Sequence, residues 1–233
     1  MYLLDVPSRK ALILNKFEDK FNIPLIDLDP LQRSQMLGEV FNEVLPSFIT
    51  NKVDKSYDLE NLFNEFTNNI TPILELTKQM DMAKQKNIYQ MFKAASLSAS
   101  NAVTRTLNTK LGLFWEDVAN LSKNVISLEK EFGIKLPGVD AVVFHNERLF
   151  YTQLKTQKNT LTGSQSGRVN GELGCFENSW FVACINNNAS WTYSGRIPKL
   201  VGDDFWSKTT LDYNEILYHL ERTINHVEDL VTN

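Results

Sequence analysis

The stretch Leu136–Gln165, LPGVDAVVFHNERLFYTQLKTQKNTLTGSQ, decides how this chain is read. Asp140 stands at the mouth of an apolar run, Ala141-Val142-Val143-Phe144. A short polar break, His145-Asn146-Glu147-Arg148, separates it from a second run, Leu149-Phe150-Tyr151, which leads into Gln153-Leu154-Lys155. β-Branched and aromatic residues on either side of a short polar break predict a β-hairpin. Side chains alternate along a strand, so Gln153 and Lys155 fall on one face and Leu154 on the other. With the hairpin in register, Asp140 lies at the end of the neighbouring strand on the Lys155 side. An acid, a second oxygen donor and a lysine at one sheet end can hold a divalent cation and activate a water. The plain alternative makes Asp140 a turn cap and Lys155 a solvated strand residue.

Asp140, followed after a hairpin by Gln153-x-Lys155, resembles the PD-(D/E)xK nuclease superfamily, and within it the type II restriction endonucleases. Leu136-Pro137-Gly138-Val139-Asp140 resembles their PGxD lead-in, and Lys158-Asn159-Thr160 a polar stretch after the lysine. Thr109-Lys110-Leu111-Gly112 with Trp115-Glu116-Asp117-Val118-Ala119 is similar to the helix that precedes the core there. The likeness spans roughly residues 108 to 220 and leaves the first hundred unexplained. It implies an α/β restriction-endonuclease-like core on an αβββαβ plan, a mixed central sheet flanked by helices. The activity it implies is Mg²⁺-dependent hydrolysis of phosphodiester bonds in double-stranded DNA at a short specific site. A homodimer follows, because two-fold DNA symmetry is matched most simply by a two-fold protein.

In those terms Asp140, Gln153, Lys155 and Glu116 are the catalytic set. Asp140, Gln153 and the backbone carbonyl of Leu154 ligate Mg²⁺, and Lys155 orients the attacking water. One residue departs from the pattern: Gln153 is an amide where the family carries an acid. Its neutral oxygen still coordinates Mg²⁺ but neutralises less charge. Glu116 is the candidate for the missing carboxylate, although an acid early in a helix also suits the macrodipole alone. Methyl-directed Mrr-like nucleases resemble this chain in carrying QxK. A catalytically silent DNA-binding module and a helical interaction protein are the other readings.

The candidate DNA contacts are Lys158 and Asn159, with Gln165, Arg168 and Asn170 from the Thr160–Gly174 segment, which is rich in small polar residues. An arginine reads a guanine edge with two hydrogen bonds, and a glutamine or asparagine reads an adenine. The same composition suits a plain surface loop or a short helix. Trp180–Ile185 (WFVACI) is a continuous apolar run, the mark of a strand buried on both faces. Trp191-Thr192-Tyr193 and Lys199-Leu200-Val201 are short strand candidates, Gly202–Trp206 a short helix and Leu211–Leu230 the closing amphipathic helix.

Residues 1 to 107 read as helical, a region for dimerisation or for gripping DNA, with residues 108 to 233 as the nuclease core. Ser8 is a candidate cap for the first helix; Asp29-Pro30 opens the second, which loosens near Pro46; Asp58 starts the third. Asp81–Leu107 is a fourth and Leu111–Phe132 a fifth, closed by Gly133.

The 233 residues carry a net charge of -4, so no global basic field announces nucleic acid. The charge is unevenly spread. Bases outnumber acids six to three from Ala141 to Val201, and acids outnumber bases seven to two from Gly202 to Asn233. Cys175 and Cys184 make neither a disulfide framework nor a zinc spacing. Together with the absence of a basic leader or a long apolar run, that predicts a cytoplasmic protein with no membrane partner. No phosphate-binding glycine loop, dinucleotide fingerprint or G-x-S-x-G elbow is present, which leaves ATP-driven, nicotinamide and serine-hydrolase chemistry unsupported.

Overall fold

A computed structural model describes residues 2–78, 87–161 and 164–232. The first part of the expected fourth helix, 81–86, lies outside them, as do Thr162 and Gly163 of the polar segment. Helices α1 (Val6–Phe21), α2 (Pro30–Asn51), α3 (Leu59–Lys78), α4 (Ile88–Met91) and α5 (Ala95–Leu121) come first. Then follow β1 (Val125–Ile126), α6 (Leu128–Phe132), β2 (Ala141–His145), β3 (Arg148–Lys155) and α7 (Gln165–Leu173). β4 (Ser179–Ala183), β5 (Lys199–Val201), α8 (Asp203–Trp206) and α9 (Tyr213–Thr232) complete the chain. This is an α/β protein with a largely helical N-terminal half and a mixed five-stranded sheet in the order β1-β2-β3-β4-β5. No helix of the described residues is long and apolar enough to cross a membrane.

The compact units are interleaved in sequence rather than divided near residue 108. One comprises Met1–Ser56 with Trp115–Leu211, the other Tyr57–Phe114 with Asp212–Asn233. The division falls inside α5, whose continuous hydrogen bonding hides it from a reading of composition.

Within the first unit, β1, β2 and β3 pair antiparallel, and β3, β4 and β5 parallel. The expected hairpin is present, with Ala141 opposite Thr152 and His145 opposite Arg148. Its two-residue turn, Asn146-Glu147, has positive φ at both positions (48° and 61°), as a type I′ connection requires. β4 is buried along its whole length, as its unbroken apolar run predicts. α7 forms the crossover that returns the chain from β3 to a parallel β4.

On one face of the sheet, Val142, Leu149 and Tyr151 join Phe41, Val44, Phe48 and Phe132 in the largest core cluster. Tyr151 donates its hydroxyl to the Gly38 carbonyl at 2.9 Å and stacks on Phe176 at 4.0 Å, which docks α2. Gly38 is required there: a Cβ would lie 2.9 Å from the Phe176 ring. α2 runs through Pro46 without a break, because Leu45, Phe48 and Ile49 around it are buried and packing outweighs one lost backbone bond.

Three local expectations are corrected. Asp5, not Ser8, caps α1, accepting the Ser8 N–H at 2.9 Å. The expected helix Leu111–Phe132 is three elements. α5 ends at Leu121, Val125–Ile126 pairs with β2, and α6 is a separate turn capped by Ser127 and Gly133. Leu121, Val125 and Leu128 keep helical spacing by coincidence, while the β-branched pair is fully buried as a sheet edge. Asn124 fixes the break by donating to the carbonyls of Phe144 (2.9 Å) and Lys208 (2.7 Å). Trp191-Thr192-Tyr193 is not a strand; the Tyr193 side chain is instead buried beside α7.

Candidate functional site

The turn before β2 delivers Asp140. Val139 donates to the Leu136 carbonyl at 3.1 Å across Pro137-Gly138, and Gly138 has φ +73°. Proline followed by a positive-φ glycine is the pattern of a type II turn. The Asp140 N–H then donates to the Thr152 carbonyl at 2.9 Å, which ties Asp140 to β3 just before the first β2–β3 pair, Ala141 and Thr152. Its Oδ2 accepts the Leu154 N–H at 2.8 Å. The N–H and C=O of one strand residue point to the same side, so the Leu154 carbonyl also faces this end of β2.

Alternation along β3 puts Gln153 and Lys155 on one side of the sheet and Leu154 on the other, and the Lys155 ammonium acts on the Asp140 carboxyl. Asp140 and Lys155 are both partly exposed. Burial pushes the Asp140 carboxyl above its usual range, and Glu172 pushes it further; the Lys155 ammonium, the Leu154 N–H and Lys135 act against that rise. Glu116, half-buried on α5, is raised first by burial and next by the charge of Asp140. The two carboxylates therefore sense each other. Gln153 is 5% exposed, and its Oε1 meets no hydrogen-bond donor among the described residues.

An orphaned buried oxygen costs about 1–3 kcal/mol and calls for an explanation. A hard cation is one, since such ions take mixed sets of carboxylate, amide and carbonyl oxygens. The residues that could hold such a cation are Asp140, Gln153, Glu116 and the Leu154 carbonyl. Among the described residues no group of three or more His, Cys, Asp or Glu is placed to hold a metal ion.

Glu172 was not anticipated from the sequence. It sits on α7 with its side chain 18% exposed, 3.9 Å from Arg168. Its side chain packs against Gly138, where an added Cβ would meet the Glu172 Cβ and Oε2 at 2.6 Å. The only sequence signal was the i,i+4 spacing of Arg168 and Glu172. Gly138→Ala is expected to destabilise the fold by about 1–3 kcal/mol, from strain at positive φ and displacement of α7. Urea denaturation of the variant measures it, and a wild-type midpoint would contradict the packing described.

The expected DNA contacts divide. Asn159 and Arg168 are exposed, and Gln165 opens α7 half-buried. Lys158 reaches the Asn186 side-chain oxygen at 3.2 Å. Asn170 turns inward: its Oδ1 accepts from the Tyr193 hydroxyl at 2.6 Å and the Arg196 N–H at 3.0 Å. That removes Asn170 from the base-reading set and makes it the tie between α7 and the segment after β4. Asp117 forms an ion pair with Lys130 at the surface. Both cysteines are free, with Cys184 buried and Cys175 half-buried.

No protein-family model matches the chain. No solved structure matches it. Among curated proteins it is similar to the DNA polymerase III PolC-type of Mycoplasmopsis pulmonis, 29% identical over 165 residues. The match covers 68% of this chain and 10% of the relative, so the chain spans about a tenth of that protein's length.

Proposed function

We propose that this chain is a Mg²⁺-dependent type II restriction endonuclease with a restriction-endonuclease-like core, acting on double-stranded DNA as a homodimer. The observation that supports the reading is that Lys155 and Glu116 stand within electrostatic reach of Asp140 at the open end of the β2–β3 hairpin, while Gln153, two residues before Lys155, carries an orphaned buried oxygen. When bound, Mg²⁺ supplies Lewis acidity to the scissile phosphate and lowers the pKa of a coordinated water. Asp140 holds its carboxylate in place through the Leu154 N–H. Glu116 adds the negative charge that Gln153 lacks. Lys155 orients the attacking water or offsets charge on the phosphate. Arg168 and Lys158 supply cations for the DNA backbone. The PolC-type relative bears the name of a DNA polymerase, which agrees with DNA as the substrate; a tenth of its length assigns no polymerase activity to this chain.

Purified protein with Mg²⁺ is expected to cut unmodified double-stranded DNA into discrete fragments, resolved on a gel, and EDTA is expected to stop it. Salt-sensitive DNA binding without cutting in any divalent metal would replace this reading with the silent module.

A further inference from the structure

The second unit contains a cavity of about 420 Å³ between α3 and α9, within the size range of small-molecule sites. We propose that it binds a phosphate dianion, either free or carried by a small monoester.

The lining is what an oxyanion needs. Asn64 and Asn68 face it from α3, and His219, Arg222 and His226 from α9; no aspartate or glutamate lines it among the described residues. These donors are held in place. The His226 Nε2 lies 3.0 Å from the Thr71 hydroxyl, and the His219 ring stacks on Phe63 at 5.6 Å. The Arg222 guanidinium sits 5.7 Å over the Tyr218 ring. It also reaches Glu60 at 3.2 Å, with the two side chains 51% and 60% exposed. An ion pair so open to water is worth little, so an incoming dianion can displace Glu60. The guanidinium fork then matches two phosphate oxygens, and the flanking amides and imidazoles satisfy the others.

Packing alone does not account for this lining. The same two helices bury Ile70, Leu74 and Val227 in an apolar cluster with Val103, yet here they present amides, imidazoles and a guanidinium. A metal fits poorly. His219 and His226 are seven residues apart, roughly 10 Å along a helix, too far for both rings to reach one metal ion at about 2 Å.

The test follows the ring NMR signals of His219 and His226 in the full chain at constant ionic strength. Inorganic phosphate, thymidine 5′-monophosphate, a short DNA duplex and sodium chloride are titrated in turn. Inorganic phosphate and the monophosphate are expected to shift both rings saturably, and Arg222→Ala and Asn68→Ala each to weaken binding about 10-fold. Tighter binding of the monophosphate than of inorganic phosphate would identify the monoester as the natural form. Shifts reproduced by chloride, shifts with the duplex alone, or affinities unchanged in both variants would overturn the proposal. Asn68 is exposed, so its variant carries the test if Arg222→Ala folds poorly. None of these readouts depends on DNA cleavage, so failure here leaves the nuclease reading untouched.

Discussion

Asp140→Asn and Lys155→Ala are each expected to lower Mg²⁺-dependent DNA cleavage by about 10³-fold, with DNA binding at low salt retained within about threefold. Asparagine keeps the shape of the aspartate and can still accept the Leu154 N–H, so this substitution tests the charge and little else. It is also expected to raise stability by roughly 1 kcal/mol at neutral pH, since destabilised active-site groups are relieved by such changes. The sign follows from burial. Asp140 holds its proton to a higher pH in the folded state than in the unfolded chain. The cost of ionising it is therefore absent below the ordinary carboxylate pKa of about 4 and grows as pH rises through the folded value. Urea unfolding at about pH 4 should find the two proteins alike, and unfolding near pH 7 should favour the asparagine variant. Full cleavage by either variant would remove the nuclease assignment. A loss of stability at neutral pH in Asp140→Asn would show that the carboxylate is a structural cap.

Lys52→Met is expected to cost about 3 kcal/mol of stability, because it strips a donor from several buried carbonyls at once. Lys52 is 7% exposed at the end of α2. Its ammonium donates to the carbonyls of Asn120 (2.6 Å), Ser122 (2.8 Å) and Val125. The Asn120 and Ser122 carbonyls lie where α5 stops, and a cation there also suits the negative end of the helix dipole. Methionine fills the volume and supplies no donor. Burial pushes the Lys52 ammonium down to about 8, well below the unfolded value. The unfolded chain therefore binds more protons between about pH 8 and 10.5, and the wild type gains stability across that window while Lys52→Met does not. The gap between them should widen above pH 8 in chemical denaturation. A gap that narrows, or a methionine variant as stable as the wild type, would refute this account of how α5 is terminated.

The hairpin that carries the candidate residues was legible because strand periodicity is short-range physics. Alternation places Gln153 with Lys155 on one face, and the short polar break His145–Arg148 predicts the hairpin whose register runs from Ala141 opposite Thr152 to His145 opposite Arg148. The β4 strand announced itself through an unbroken apolar run. Helix ends were less legible. Leu111–Phe132 looked continuous because apolar spacing does not record that Lys52 and Asn124, distant in sequence or in side-chain reach, satisfy the broken backbone. Asn170 looked like a base reader because composition cannot tell which way an amide points.

By itself, the sequence determined the hairpin, the fully buried β4 strand, the amphipathic helices and the chemical types at Asp140, Gln153 and Lys155, since each depends on residues a few positions apart. Only the tertiary structure decided that Glu116 and Glu172 stand within electrostatic reach of Asp140, that Gln153 is buried with an unpartnered oxygen, and that the units interleave through α5. Those features arise from contacts between elements far apart in the chain. Charge coupling and desolvation depend on distance in space, which no local pattern encodes.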